Sequence, residues 1–209
     1  MSTQREHALP IDKAYALIAG DDKRPLLVLR ECERCKGSDH ALLSRTIDNE
    51  QTVLLTHWFR CVKLPPNVLE TDHPLGKLFE PQKAGDRIPH LFFSDADGGN
   101  RMPLPGDQSQ TETWEVMFSF LDRCYDGDAK KVIKELRALL NQFDKVDSRE
   151  EEIKGRIDQE IEKRGPGSDR IAKYEAELAK LAKEREELFA RERKIRALAL
   201  ARPDDAAAK

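Results

Sequence analysis

No stretch of about 18 apolar residues occurs anywhere in the 209-residue chain, which leaves no candidate for a membrane-spanning helix. The opening Met1-Ser2-Thr3-Gln4-Arg5-Glu6-His7 leads into no hydrophobic signal core, so the expectation is a soluble, cytoplasmic protein. An excess of one charge is also missing. Lys plus Arg number 36 against 39 Asp plus Glu, a net charge of −3, and that balance excludes nucleic-acid binding driven by bulk charge. Cysteine is scarce, at positions 32, 35, 61 and 124 only. About 125 residues can close a core without covalent staples, so these thiols are not needed as a disulfide framework. There is no Gly-x-x-x-x-Gly-Lys phosphate loop, no Gly-x-Gly-x-x-Gly, no His-Glu-x-x-His and no Gly-x-Ser-x-Gly.

What is present divides the chain in two. Residues 1–126 hold nine of the 11 Pro and ten of the 13 aromatics, whereas 127–209 hold only Phe143, Tyr174 and Phe189 and are dominated by Ala, Leu, Glu, Lys and Arg. The shift predicts a globular domain over 1–126, a helical hairpin over 127–202 and a flexible tail over 203–209. In the globular part, Ile11, Tyr15 and Ile18 sit at helical spacing, with Gly20 as the C-cap. Pro25 to Leu29 is an apolar run of the kind buried on both faces of a sheet. Ala41 to Ile47 carries helical spacing, and Thr52 to Phe59 reads as a second strand. Residues 63–87 read as loop around a short helix at Leu75, Leu78 and Phe79. Ile88 to Phe93 predicts a strand, Asp95 to Gly99 a hairpin turn, and Arg101 to Leu104 a returning strand that Pro103 and Pro105 confine to an edge. Ser109-Gln110-Thr111-Glu112 is a capping-box pattern ahead of Trp114, Met117, Phe118 and Leu121 at helical spacing. The sum is an α/β domain.

Beyond residue 127 the period changes. Leu136, Leu140, Phe143, Val146, Ile153 and Ile157 step mostly by three, four or seven, Arg164 to Asp169 breaks the helix, and Ile171, Tyr174, Leu178, Leu181, Leu188 and Ile195 repeat the rule. Two helices of roughly 33 to 37 residues, each near 50 Å long, are expected to fold back as an antiparallel coiled-coil hairpin. Its seam is not purely apolar: Arg185 and Glu192 fall on it in the second arm, Glu150 and Glu160 near it in the first. Such a marginal seam predicts docking to a partner or homodimerisation.

The chemistry concentrates at Cys32-Glu33-Arg34-Cys35, where the apolar run hands over to a helix. A thiol at a helix N-terminus meets free backbone N–H groups and the positive end of the dipole, both of which favour the nucleophilic thiolate. Cys35, one turn deeper, is close enough to form a disulfide with Cys32. The same spacing equally serves half of a zinc site or arises by chance.

The order strand, Cys-x-x-Cys-Lys, helix, apolar strand, Ile88-Pro89 opening a strand that ends in Gly98-Gly99, then Gly106 before a helix, resembles the thioredoxin family over residues 8–126. The resemblance implies a three-layer thioredoxin-like α/β domain and thiol–disulfide oxidoreductase activity on a protein disulfide. By it Cys32 is the attacking thiol, Cys35 the resolving thiol, and Pro89 a cis-proline whose loop lies against both cysteines. No cofactor and no metal is implied, since electrons come from an external reductant. The chain departs from the family at three positions: Glu31 replaces an aromatic, Glu33-Arg34 replaces Gly-Pro, and Leu26 replaces a buried acid. Two carboxylates beside Cys32 oppose the thiolate and Arg34 favours it. A non-catalytic adaptor, and a redox sensor acting through the coiled-coil arm, are the alternatives.

Cys61 and Cys124 read as small apolar residues, buried or half-buried. The sharper alternative makes Cys61 a third redox thiol, or a zinc ligand with Cys32, Cys35 and His40 or His57, although zinc wants four convergent ligands and no second regular pair is present. Asp95-Ala96-Asp97-Gly98 matches the start of a calcium loop, but Gly106 stands where the closing Glu belongs, so it reads as a turn. The hairpin arm, with 21 basic and 19 acidic residues over 127–209, predicts a solvated arm and no nucleic-acid surface.

Overall fold

The computed structural model describes residues 8–31, 49–70, 72–80, 88–104 and 108–198. Cys32, Cys35, His40, the helix expected over Ala41 to Ile47, Gly106 and the tail lie outside the described residues. The chain divides into two compact units, of which Lys130–Leu198 is the second.

In the first unit, α1 (Ile11–Ala19) buries Ala14, Tyr15, Ile18 and Ala19, and stops at Gly20, whose φ of 58° suits a residue without a Cβ. β1 (Leu26–Arg30) is buried at all five positions. It is followed by α2 (Glu50–Thr56), β2 (Arg60–Leu64), two 3-10 turns (Pro66–Leu69 and Gly76–Phe79), β3 (Leu91–Ser94), β4 (Met102–Leu104) and α3 (Gln110–Cys124). The four strands form one open mixed sheet in the order β2-β1-β3-β4. β1 runs parallel to β2 and antiparallel to β3, with Val28 opposite both Val62 and Phe92, and β3 pairs antiparallel with β4. β3, like β1, is buried throughout, while β2 and β4 carry the exposed residues expected of edges. Pro103, which lacks an N–H, sits on the edge strand as anticipated.

Both faces of the sheet are covered. On one, Tyr15 and Ile18 of α1 join Leu26, Val28, Phe92, Leu78 and Phe79, with Tyr15 edge-on to Phe92 at 6.3 Å. On the other, the rings of Phe59, Phe93 and Phe120 lie 5.5 to 6.4 Å apart. Burying each phenylalanine contributes about 2 to 3 kcal/mol. The capping box at α3 forms as the sequence predicts: Ser109 Oγ accepts from the Glu112 N–H, and the Ser109 N–H donates to Glu112 Oε2 at 2.7 Å. The hairpin turn also forms, the Asp95 N–H donating to Gly99 O at 2.9 Å.

The strand expected over Thr52 to Phe59 is instead helix α2 followed by a turn. Thr52, Leu55, Trp58 and Phe59 are all nearly solvent-free, a spacing of three and four that suits one helical face better than alternation. The Trp114 indole N–H donates to Thr52 Oγ1 at 2.8 Å, tying α2 to α3, and the Trp58 and Phe59 N–H groups turn back to Leu55 O and Thr56 O. The strand begins only at Arg60.

The second unit is a helical hairpin of α4 (Ala129–Arg164) and α5 (Asp169–Arg196), 36 and 28 residues long, the second arm being shorter than its periodicity suggests. Leu139, Val146, Ile153, Leu181 and Leu188 form its seam, with Phe143, Ile157, Tyr174, Leu178 and Ile195 packed alongside. Leu139, rather than Leu140, occupies the core because it lies seven residues before Val146 and keeps the heptad. Phe143 meets Phe189 with ring centroids 4.9 Å apart. Gly165, at φ 82°, returns its N–H to Ile161 O and ends α4.

Candidate functional site

The residue before Cys32 is Glu31, at the carboxyl end of the central strand β1. Ligand sites of α/β sheets lie beyond the carboxyl ends of such strands. Backbone bonds hold this end on both sides: the Arg30 N–H donates to His90 O at 2.8 Å and the Glu31 N–H to Leu64 O at 2.8 Å. The Glu31 carboxylate pairs with the Lys63 ammonium, both side chains largely open to water, so the pair contributes little stability. Pro89 is buried next to His90, at the entry to β3. Sheet pairing therefore brings Pro89 and His90 beside Arg30 and Glu31. No cis peptide bond occurs among the described residues, so the Ile88–Pro89 bond is trans, which corrects the cis-proline the resemblance implied.

Arg30 is the unforeseen member of this edge. Its relative exposure is 7%, and its guanidinium lies 5.9 Å from the Phe79 ring centroid. Nη2 stands 3.3 Å from His90 Nδ1, and Nε has no hydrogen-bond partner. Burial pushes its pKa down. Sequence alone reads an arginine at the end of an apolar run as the point where a strand emerges into water. The signal that could have found it is its place between Leu29 and Glu31-Cys32, still within the span that the sheet buries.

The other two thiols lie elsewhere. Cys61 pairs with Leu27, four residues or about 13 Å before Glu31, at the opposite end of β1. Its residue is exposed, unlike the buried or half-buried position expected, while its sulfur faces Thr56 O at 3.7 Å and Phe59 O at 3.9 Å. Burial of the sulfur raises its pKa, Arg24 and Arg60 opposing. Cys124, half-buried, lies 3.8 Å from Asp95 Oδ1, whose charge adds to burial in raising the thiol's pKa. His57 is exposed and edge-on to Trp58 at 5.5 Å. Among the described residues no group of three or more His, Cys, Asp or Glu is placed to hold a metal ion, so Cys61 and His57 gain no further ligand there. Asp95 to Gly98 is a turn, with Asp95 bound to Arg123 and Asn100.

Leu26, where the resembled family carries a buried acid, is 0% exposed among apolar neighbours, so the described core offers no proton acceptor at that position. No helix among the described residues is long and apolar enough to cross a membrane. No family model matches the chain, and neither a curated protein nor a solved structure is significantly similar to it.

Proposed function

We propose that the chain is a cytoplasmic, thioredoxin-like thiol–disulfide oxidoreductase working through Cys32 and Cys35, with the coiled-coil hairpin docking a partner protein or a second copy. The observation that carries this reading is that the pair follows in sequence directly after the carboxyl end of β1, the strand end that sheet pairing brings beside Pro89. The order strand, Cys-x-x-Cys, strand, Ile-Pro strand, hairpin, helix supports it.

In the reaction, the Cys32 thiolate attacks one sulfur of a protein disulfide, forming a mixed disulfide and expelling the other sulfur as a thiolate that takes up a proton. The Cys35 thiolate then attacks the Cys32 sulfur, closing the Cys32–Cys35 disulfide and releasing the second substrate thiol. The substrate gains two electrons and the protein loses two. An external dithiol reductant restores the pair.

A second reading, a non-catalytic adaptor, is favoured by apolar Leu26 and by the acidic Glu31 before Cys32. Glutathione redox titration with alkylation and peptide mass mapping decides between them. A reversible Cys32–Cys35 couple between about −120 and −270 mV is expected of the oxidoreductase. Two thiols that stay unreactive near neutral pH would leave the adaptor.

A further inference from the structure

Arg30 carries a charge that no carboxylate among the described residues balances. A guanidinium stays protonated in proteins, so burial cannot be relieved by losing the proton. Buried cations are normally paired, because desolvation costs several kcal/mol per ion. Arg30 has no carboxylate among the described residues within ion-pairing distance, its Nε is orphaned, and its one polar side-chain contact is His90 Nδ1 at 3.3 Å. A guanidinium can only donate, so a hydrogen bond here uses the Nδ1 lone pair, and an imidazole supplies no negative counter-charge. Phe79 lies against the guanidinium at 5.9 Å and offers only the weak attraction of its ring face.

The arrangement suits a missing acceptor. Nε and Nη2 form the side-on fork of the guanidinium, the geometry that grips two oxygens of one oxyanion, and only one prong is occupied. Phe79 and Pro89, both buried, supply low-dielectric surroundings in which a charge-assisted hydrogen bond is strong. The location is the carboxyl end of β1, which runs parallel to β2, and in open parallel sheets it is the carboxyl ends of the strands that face ligands.

We propose that Arg30, oriented by His90, is a binding site for an oxyanion, either a carboxylate or a phosphate group. It is independent of the redox reading, since no thiol takes part. The oxyanion accepts from Nε and shares Nη2 with His90, and it neutralises the buried charge.

The test is thermal unfolding of the full chain in sodium acetate and in inorganic phosphate, each against sodium chloride of equal ionic strength, with the Arg30 Nε–H resonance followed by NMR. The expected result is a saturable rise in melting temperature of about 3 °C at ten times the dissociation constant, in one or both salts. The salt that gives it identifies the group as carboxylate or phosphate. The Nε–H resonance, assigned by its loss in Arg30→Met, should move with the same saturation. Arg30→Met should melt no lower than the parent in chloride, because it removes an unpaired charge, and should lose the response. A chain with Cys32→Ser and Cys35→Ser should keep the response, which separates failure here from failure of the oxidoreductase reading. No response in either salt, or a marked loss of stability in Arg30→Met in chloride, would overturn the proposal.

Discussion

Arg185 reaches across the helical hairpin to Glu150, Nη2 lying 2.5 Å from Oε2, and the same nitrogen lies 2.5 Å from Asp147 Oδ1. The polar interruptions of the two apolar repeats thus meet each other in one layer. In coiled coils a polar seam residue fixes register and partner number at a cost in stability.

Replacing both Arg185 and Glu150 with leucine should raise the melting temperature of the hairpin while broadening its choice of partner. Sedimentation of the double variant should reveal species absent from the parent. Arg185→Leu alone should be worse than Glu150→Leu alone, since it removes both cross-helix pairs, with Asp147 and with Glu150, whereas Glu150→Leu leaves the Arg185–Asp147 pair intact. Thermal melts of the three variants check that order.

Glu160 ties the hairpin's turn together. Its Oε1 accepts from Ser168 Oγ at 2.7 Å and from Arg164 at 3.0 Å, and the Ser168 bond is the largest cause holding its carboxyl below the usual range. A depressed native pKa means the contribution is complete above the ordinary glutamate pKa and is lost as pH falls through the lowered value. Melting temperature followed from pH 7 to pH 2 should therefore fall on the acid side, and Glu160→Gln should flatten part of that fall. An unchanged acid limb in the variant would remove Glu160 from the account.

Gly98 holds the β3–β4 turn under the Tyr15 ring. Its φ is 91°, and a Cβ there would overlap Tyr15 Cδ2 and Cε2. Gly98→Ala should destabilise the first unit by about 2 kcal/mol or more, read by urea unfolding. Gly20→Ala, with open space around its Cβ, bears only the backbone strain and should cost less.

Cys61 combines an exposed residue with a thiol whose pKa burial pushes up. Only the thiolate reacts, so iodoacetamide at pH 7 should label Cys61 more slowly than a free thiol, with the rate still climbing above pH 9. Cys61→Ser should leave any Cys32–Cys35 couple at its parental potential, because Cys61 pairs with Leu27, at the end of β1 away from Glu31.

Much of this architecture is written locally. α1 is bounded by periodic apolar residues and Gly20, the capping box by Ser109 and Glu112, and the β3–β4 hairpin by its Asp and Gly cluster. Each depends on neighbours in sequence, which a linear reading can weigh. The run from Thr52 to Phe59 could not be settled that way: its β-branched and aromatic residues favour a strand in isolation, and contacts such as Thr52 with Trp114, 62 positions away, tip it to helix. Strand β2 escaped notice because Arg60, Cys61 and Lys63 are exposed on a sheet edge and leave no long apolar run. At the candidate site, Cys32 and Cys35 declare themselves by spacing. Arg30 does not, since its importance comes from burial between β2 and β3, a property of the sheet and not of its own segment.

The antiparallel course of α4 and α5 has a consequence for how this arm can vary. Position 143 meets 189, 150 meets 185 and 160 meets 168, so opposite positions add to a nearly constant number. Removing or adding one heptad in both arms at once keeps every remaining partner opposite its own, whereas a change in one arm alone misaligns all layers on the side of the edit away from the turn. The arm can therefore be lengthened or shortened in paired steps of about 10 Å, seven residues at 1.5 Å each, without redesign of its core. Its reach is a quantity that engineering, or descent, can adjust while its chemistry stays fixed.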